Sequence, residues 1–148
     1  MPIADQVTEQ MKQAMKAKDE RRLVALRSMR SAFLNEMKKD GSTSVSDAVC
    51  EGLLRKLEKQ RKESIEAFDA AGRKELAAAE RAELAVIQEF LPKLADEAKT
   101  REWVEAAISQ TGATSAKEVG KVMGALMKAH KGEIDGDLAR RLAQERLA

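Results

Sequence analysis

The residues in this sequence whose types and spacing suit a chemical task are mostly basic. The stretch Gly120-Lys121-Val122-Met123-Gly124-Ala125-Leu126-Met127-Lys128 sets two glycines four apart within a helical pattern. Each glycine costs about 1 kcal/mol relative to alanine inside a helix, so the pair calls for a reason. Gly120 and Gly124 share a face and permit a backbone or a ligand to approach closely. Tight helix–helix packing within a small domain is the structural alternative. Lys121 and Lys128 also share a face, and Lys131 follows at the helix end, where a cation complements the helix dipole. These three lysines are candidate contacts to nucleic-acid phosphates, with the glycines allowing the approach.

A second candidate surface is Arg55, Lys59 and Lys62, at helical spacing on a face opposite Leu57 and Phe68. Residues 55–62 hold five basic residues against Glu58 alone, a balance of +4. Residues 12–39 hold nine basic and three acidic residues, a balance of +6, whereas residues 96–148 hold nine of each sign. The structural alternative for the 55–62 stripe is a solvated helix face diluted by Glu51, Glu58, Glu63 and Glu66.

Other chemistries lack their parts. The glycine–lysine stretch is no Walker-type phosphate loop, because it lacks the Gly-Lys-Ser/Thr ending and a preceding strand. His130 is the only histidine and has no metal-spaced partner; it reads as a surface residue near a helix end. Cys50 is the only cysteine and reads as a small core residue, since a catalytic thiolate wants a histidine partner. Trp103 lies with Val104, Ala107 and Ile108 and reads as core packing, with base stacking as a secondary role. No catalytic residue, metal site or cofactor is assigned.

Three charges interrupt apolar helix faces. Arg30 falls among Leu23, Leu26, Phe33 and Met37; Arg61 falls between Leu57 and Phe68; Glu80 falls among Leu76, Leu84 and Ile87. A buried charge must be paired, because taking an ion out of water costs several kcal/mol. The structural reading pairs Glu80 with Arg61 or Arg30 inside a bundle. The functional reading is a polar ligand pocket.

These residues need a helical frame, and composition supplies one. The 148 residues include 25 Ala, 14 Leu and 7 Met, against 18 Val, Ile and Thr together, a ratio that favours helix over sheet. The fold class expected is all-α: an N-terminal helical bundle over residues 1–92, then a small C-terminal helical domain over residues 96–148. Ile3, Val7, Met11 and Met15 mark a first helix from about Ala4 to Lys18. A second runs from about Asp19 to Lys39, before the turn-rich Asp40–Ser44. Ser46 caps a third, with Leu53, Leu57, Ile65 and Phe68 as its stripe, ended or kinked at Ala71-Gly72. A fourth spans about Arg73 to Phe90, with Leu76, Leu84, Ile87 and Leu91 inward, and Pro92 stops it. Asp96 caps the next, which ends at Gly112. Ser115 and Glu118 form a capping box for a helix ending near Lys131-Gly132, and Asp135 caps the last, which carries Leu138, Leu142 and Leu147. No apolar run approaches a membrane span and no secretory h-region opens the chain, so a cytoplasmic protein with no membrane partner is expected.

Two stretches then stand out together. One runs from Gln60 to Pro92: Gln-Arg-Lys-Glu-Ser-Ile-Glu-Ala-Phe, Ala-Gly-Arg, Glu80, Glu83-Leu84 and Leu91-Pro92. The other runs from Thr111-Gly112-Ala113 through the glycine–lysine stretch to Lys131-Gly132-Glu133-Ile134-Asp135-Gly136. Over nearly the whole chain the sequence resembles the GatB/YqeY family, and within it a stand-alone YqeY-like protein. The family pattern usually has a basic residue and Ala where Glu133 and Ile134 stand here, which lowers the local positive charge. The resemblance implies the same two-part helical fold. It also implies kinship with the tail of the B subunit of glutamine-dependent aminoacyl-tRNA amidotransferase, which helps hold the tRNA body. The expected function is therefore a non-catalytic tRNA-associated module. The alternative is a protein-interaction adaptor for an amidotransferase or aminoacyl-tRNA synthetase component. Carbon–nitrogen ligase activity with glutamine as amido donor, the label the family carries, ranks third, because no residue set here suits that reaction.

Overall fold

The computed structural model describes residues 1–148 and contains seven α-helices, one short 3-10 helix and no strand. The chain divides into two compact units, Met1–Leu91 and Pro92–Ala148.

Four helices build the first unit: α1 (Ile3–Ala17), α2 (Glu20–Asp40), α3 (Asp47–Ala70) and α4 (Lys74–Gln88). Lys18 takes a left-handed conformation, φ 57°, and turns the chain back on itself. Asp19 then caps α2 by accepting from the Arg22 backbone N–H at 3.1 Å, so α1 and α2 form a hairpin with a two-residue link. Gly41 closes α2 at φ 67°, a conformation that suits a residue without Cβ. Ser46 caps α3 through the Val49 N–H, and Asp47 accepts from the Ile3 N–H at 2.9 Å, tying α3 to the start of α1. Val7, Leu26, Met29, Phe33, Cys50, Leu54 and Ile87 are the fully enclosed residues of this core.

Several inward positions differ from the sequence expectation by one residue. On α1 Ile3 and Val7 are buried as expected, but Ala14 is buried in place of Met15, which is exposed. On α4 Ala77 is buried and Leu76 is exposed. On α3 the inward line is Cys50, Leu54 and Glu58, with Leu53 and Leu57 only half-buried. A helix presents a face a few residues wide, and the neighbours it meets choose the centre of that face.

The second unit holds α5 (Glu97–Thr111), the 3-10 helix Ala116–Glu118, α6 (Val119–Ala129) and α7 (Gly136–Leu147). Asp96 caps α5 at the Lys99 N–H, 2.8 Å, and Gly112 ends it at φ 70°. Asp135 caps α7, accepting from the N–H groups of Asp137 and Leu138. The expected Ser115–Glu118 capping box is not formed. Ser115 makes no cap bond, and Glu118 instead accepts from the Thr114 N–H at 2.9 Å. The 3-10 turn consumes those residues, so α6 starts at Val119. Val104, Val122, Leu126, Ala139, Leu142 and Ala143 centre a separate apolar core. No helix is long and apolar enough to cross a membrane.

Candidate nucleic-acid interface

The buried face of α6 is Val122, Met123 and Leu126. The opposite face carries Gly120, Lys121, Gly124, Met127 and Lys128, all exposed, and Lys131 follows, also exposed. A Cβ added at Gly120 or Gly124 would meet nothing within 4 Å. This overturns the packing explanation for the glycines: no helix of their own unit lies against them. Two glycines that weaken a helix, serve no internal contact and face solvent leave a shallow strip bordered by lysines. Lys121, Lys128 and Lys131 have no carboxylate within 4 Å, so their charge is available to an outside partner.

The second predicted stripe is less uniform. Lys59 and Lys62 are exposed, whereas Arg55 is half-buried with its guanidinium 3.2 Å from Glu58. Glu58, read from sequence as a diluting surface charge, is buried and also accepts from the Gln88 side-chain amide at 3.1 Å. The stripe thus offers two free-standing lysines, and Arg55 is committed to binding α3 to α4 through Glu58.

The three misplaced charges also separate. Arg61 lies 3.4 Å from Glu80 and 2.8 Å from Glu83, and its side chain reaches Ser28 of α2 at 3.4 Å. All three charged side chains are about one-fifth exposed, so the group seals the joint of α2, α3 and α4 at its edge. Neither Arg61 Nε nor Glu80 Oε2 has an aligned hydrogen bond, although both atoms are inaccessible to water. Arg30 is not part of this group. It is exposed, and Met29 takes the inward position beside Leu26 and Phe33. Its place in the sequence among Leu23, Leu26, Phe33 and Met37 predicts an inward position, but that face is filled by its neighbour. No three metal-ligating side chains converge anywhere in the chain.

The family model described as Yqey-like protein matches residues 4–147. The chain belongs to this family. A search of curated proteins finds no match.

In this YqeY-like chain several polar features escaped the sequence reading. Trp103 and His130 stack face to face, with ring centroids 3.7 Å apart and planes within 7°. His130 is therefore not a lone surface residue, and its Nδ1 lies 3.5 Å from Glu133. They are 27 positions apart in sequence, and only the folded turn after α6 brings them together. Arg22 makes two bonds to Glu89, at 2.7 and 3.1 Å, and a third to Gln10, joining α1, α2 and the end of α4. The Glu89 hydrogen bond raises the Arg22 guanidinium further above its already high value. Cys50 is enclosed, and burial pushes its thiol up; Asp47 and Glu51 add to this and the Ala4 backbone opposes it. A thiol held protonated in a core is unreactive.

Proposed function

We propose that this YqeY-like protein is a non-catalytic, cytoplasmic module that holds tRNA by its sugar–phosphate backbone. The observation that carries the reading is the outer face of α6, where Gly120 and Gly124 leave open space beside exposed, unpaired Lys121 and Lys128. A strip without side chains lets a phosphate backbone approach the helix closely, and the lysines and Lys131 supply charge that carries no base preference. Lys59 and Lys62 add a smaller electrostatic contribution from α3, with Arg55 engaged elsewhere. The resemblance to the amidotransferase B-subunit tail agrees with this role.

The test is a titration of the full chain with unfractionated tRNA at about 50 and 200 mM salt, a range over which several phosphate contacts weaken affinity by orders of magnitude. The triple variant Lys121→Ala, Lys128→Ala, Lys131→Ala should bind more weakly and with a shallower salt dependence. Salt-independent binding would sink the phosphate-contact reading.

Met127, 42% exposed on the same face, favours a second reading in which α6 docks an amidotransferase or aminoacyl-tRNA synthetase component. Nuclease-resistant capture of such a component, lost in a Met127→Ser variant, would select it.

A further inference from the structure

The outer face of α2 is the one helix surface in the chain that gathers two unpaired exposed arginines, Arg27 and Arg30. Arg27, Arg30, Leu34 and Lys38 recur at three- and four-residue steps and are all exposed, with Val24 one turn earlier. On other helix surfaces Arg81 pairs with Asp69, Arg141 with Glu97 and Glu145, and Arg146 with Glu105, while Arg101 of α5 and Arg140 of α7 are single exposed arginines without a carboxylate partner. On α2 Arg22 alone has a partner, Glu89, and it points to a different side. Arg21, Arg27, Arg30 and Lys38 have no carboxylate within 4 Å. Asp5 borders the same hollow as Arg30 and still stays beyond that distance. Like charges one turn apart, such as Arg27 and Arg30, work against a helix. Here the packed opposite face, Leu23, Leu26, Met29 and Phe33, holds the helix regardless.

We infer that the outer face of α2 is a second RNA-binding surface, in which Arg27, Arg30 and Lys38 contact phosphates along the helix. This rests on the reading of the protein as a tRNA-associated module. The helix rises about 1.5 Å per residue, so Arg27 to Lys38 spans roughly 16 Å, a length over which a polynucleotide presents several charges. Arginine's planar fork suits phosphate oxygens. An anionic membrane fits less well. An interfacial helix needs a broad free apolar face, and that of α2 is spent on the core, leaving only Val24 and Leu34 exposed ten positions apart.

The experiment measures affinity for unfractionated tRNA against salt for four full-length forms. They are the parent, Arg27→Gln/Arg30→Gln/Lys38→Gln, Arg27→Lys/Arg30→Lys, and the α6 triple-alanine variant. All altered side chains are exposed, and circular dichroism verifies that each form is folded. The glutamine variant should bind roughly tenfold more weakly at low salt, with the log–log salt slope reduced by about 0.7–0.9 per lost contact. The lysine variant should keep the slope, because charge is retained. An unchanged slope in the glutamine variant overturns the α2 surface, while the α6 reading stands if its own variant loses affinity. Loss in the α2 variant alone retains this surface and removes the α6 reading. Absence of tRNA binding by the parent removes both. Vesicles of phosphatidylcholine and phosphatidylserine in equal parts complete the set. Binding to them that depends on Arg27, Arg30 and Lys38, with RNA affinity unchanged, overturns RNA as the partner.

Discussion

Gly120 and Gly124 face open solvent in helical backbone, so alanine fits at either position without a clash. Each Gly→Ala change should raise stability by about 0.5–1 kcal/mol, since alanine loses less backbone freedom on folding. If the strip is a contact surface, the same methyl groups should weaken tRNA binding. Denaturant titration beside RNA titration reads both effects, and opposite signs are expected. Glu58 behaves in the contrary way. It is buried between Arg55 and Gln88, so Glu58→Ala removes one contact from each. The expected loss is about 2 kcal/mol by chemical denaturation, below the range for a fully enclosed pair because Arg55 retains some access to water. Cys50 adds a pH term. Its thiol is raised in the folded state, so its contribution is fully present below the unfolded thiol value, about 8.5, and is lost as pH rises through the folded value. Stability should decline in that alkaline range, and the decline should be shallower in Cys50→Ala.

At the level of elements, α3 and α4 are joined by apolar contact and by two polar groups, Arg61 with Glu80 and Glu83, and Glu58 with Gln88. Because Glu83 sits closer to Arg61 than Glu80 does, Glu80→Ala leaves the guanidinium paired. The sequence alone suggests a loss of 3–5 kcal/mol for a buried pair; the partly exposed, shared geometry lowers the expectation to about 1 kcal/mol, with Arg61→Ala costing more. Thermal unfolding of the two variants orders them. Helix starts are set by short side chains. Asp135 satisfies two N–H groups of α7, and Asp135→Ala should cost about 1 kcal/mol. Ser115 makes no cap bond, so Ser115→Ala should be close to neutral.

For the molecule as a whole, the two units have separate apolar cores, one around Leu26 and one around Leu142. Both leucines are almost wholly enclosed, so truncation to alanine should cost about 2–5 kcal/mol in each case. Hydrogen exchange should locate the loss. Leu26→Ala should speed exchange in α1–α4, and Leu142→Ala in α5–α7, with little change in the other unit. Uniform acceleration across the chain would mean that the cores unfold as one.

The all-helical fold was legible from composition and periodicity, because Ala, Leu and Met at three- and four-residue steps leave a chain no better way to bury its apolar groups. The capping roles of Ser46, Asp96 and Asp135, and the turns at Gly41 and Gly112, are local, involving residues within a few positions, so sequence carries them directly. Family membership was equally legible in the paired motifs around Gln60–Pro92 and Gly112–Gly136. Tertiary structure decided which edge of each amphipathic face is the innermost. It turned Arg30 outward and Glu58 inward, exposed Met15 and Leu76, and left Gly120 and Gly124 without a neighbour. It also brought Trp103 onto His130 and Arg22 onto Glu89. Helix periodicity fixes a face only to within a residue or so, and a partner tens of positions away acts only after the elements have packed.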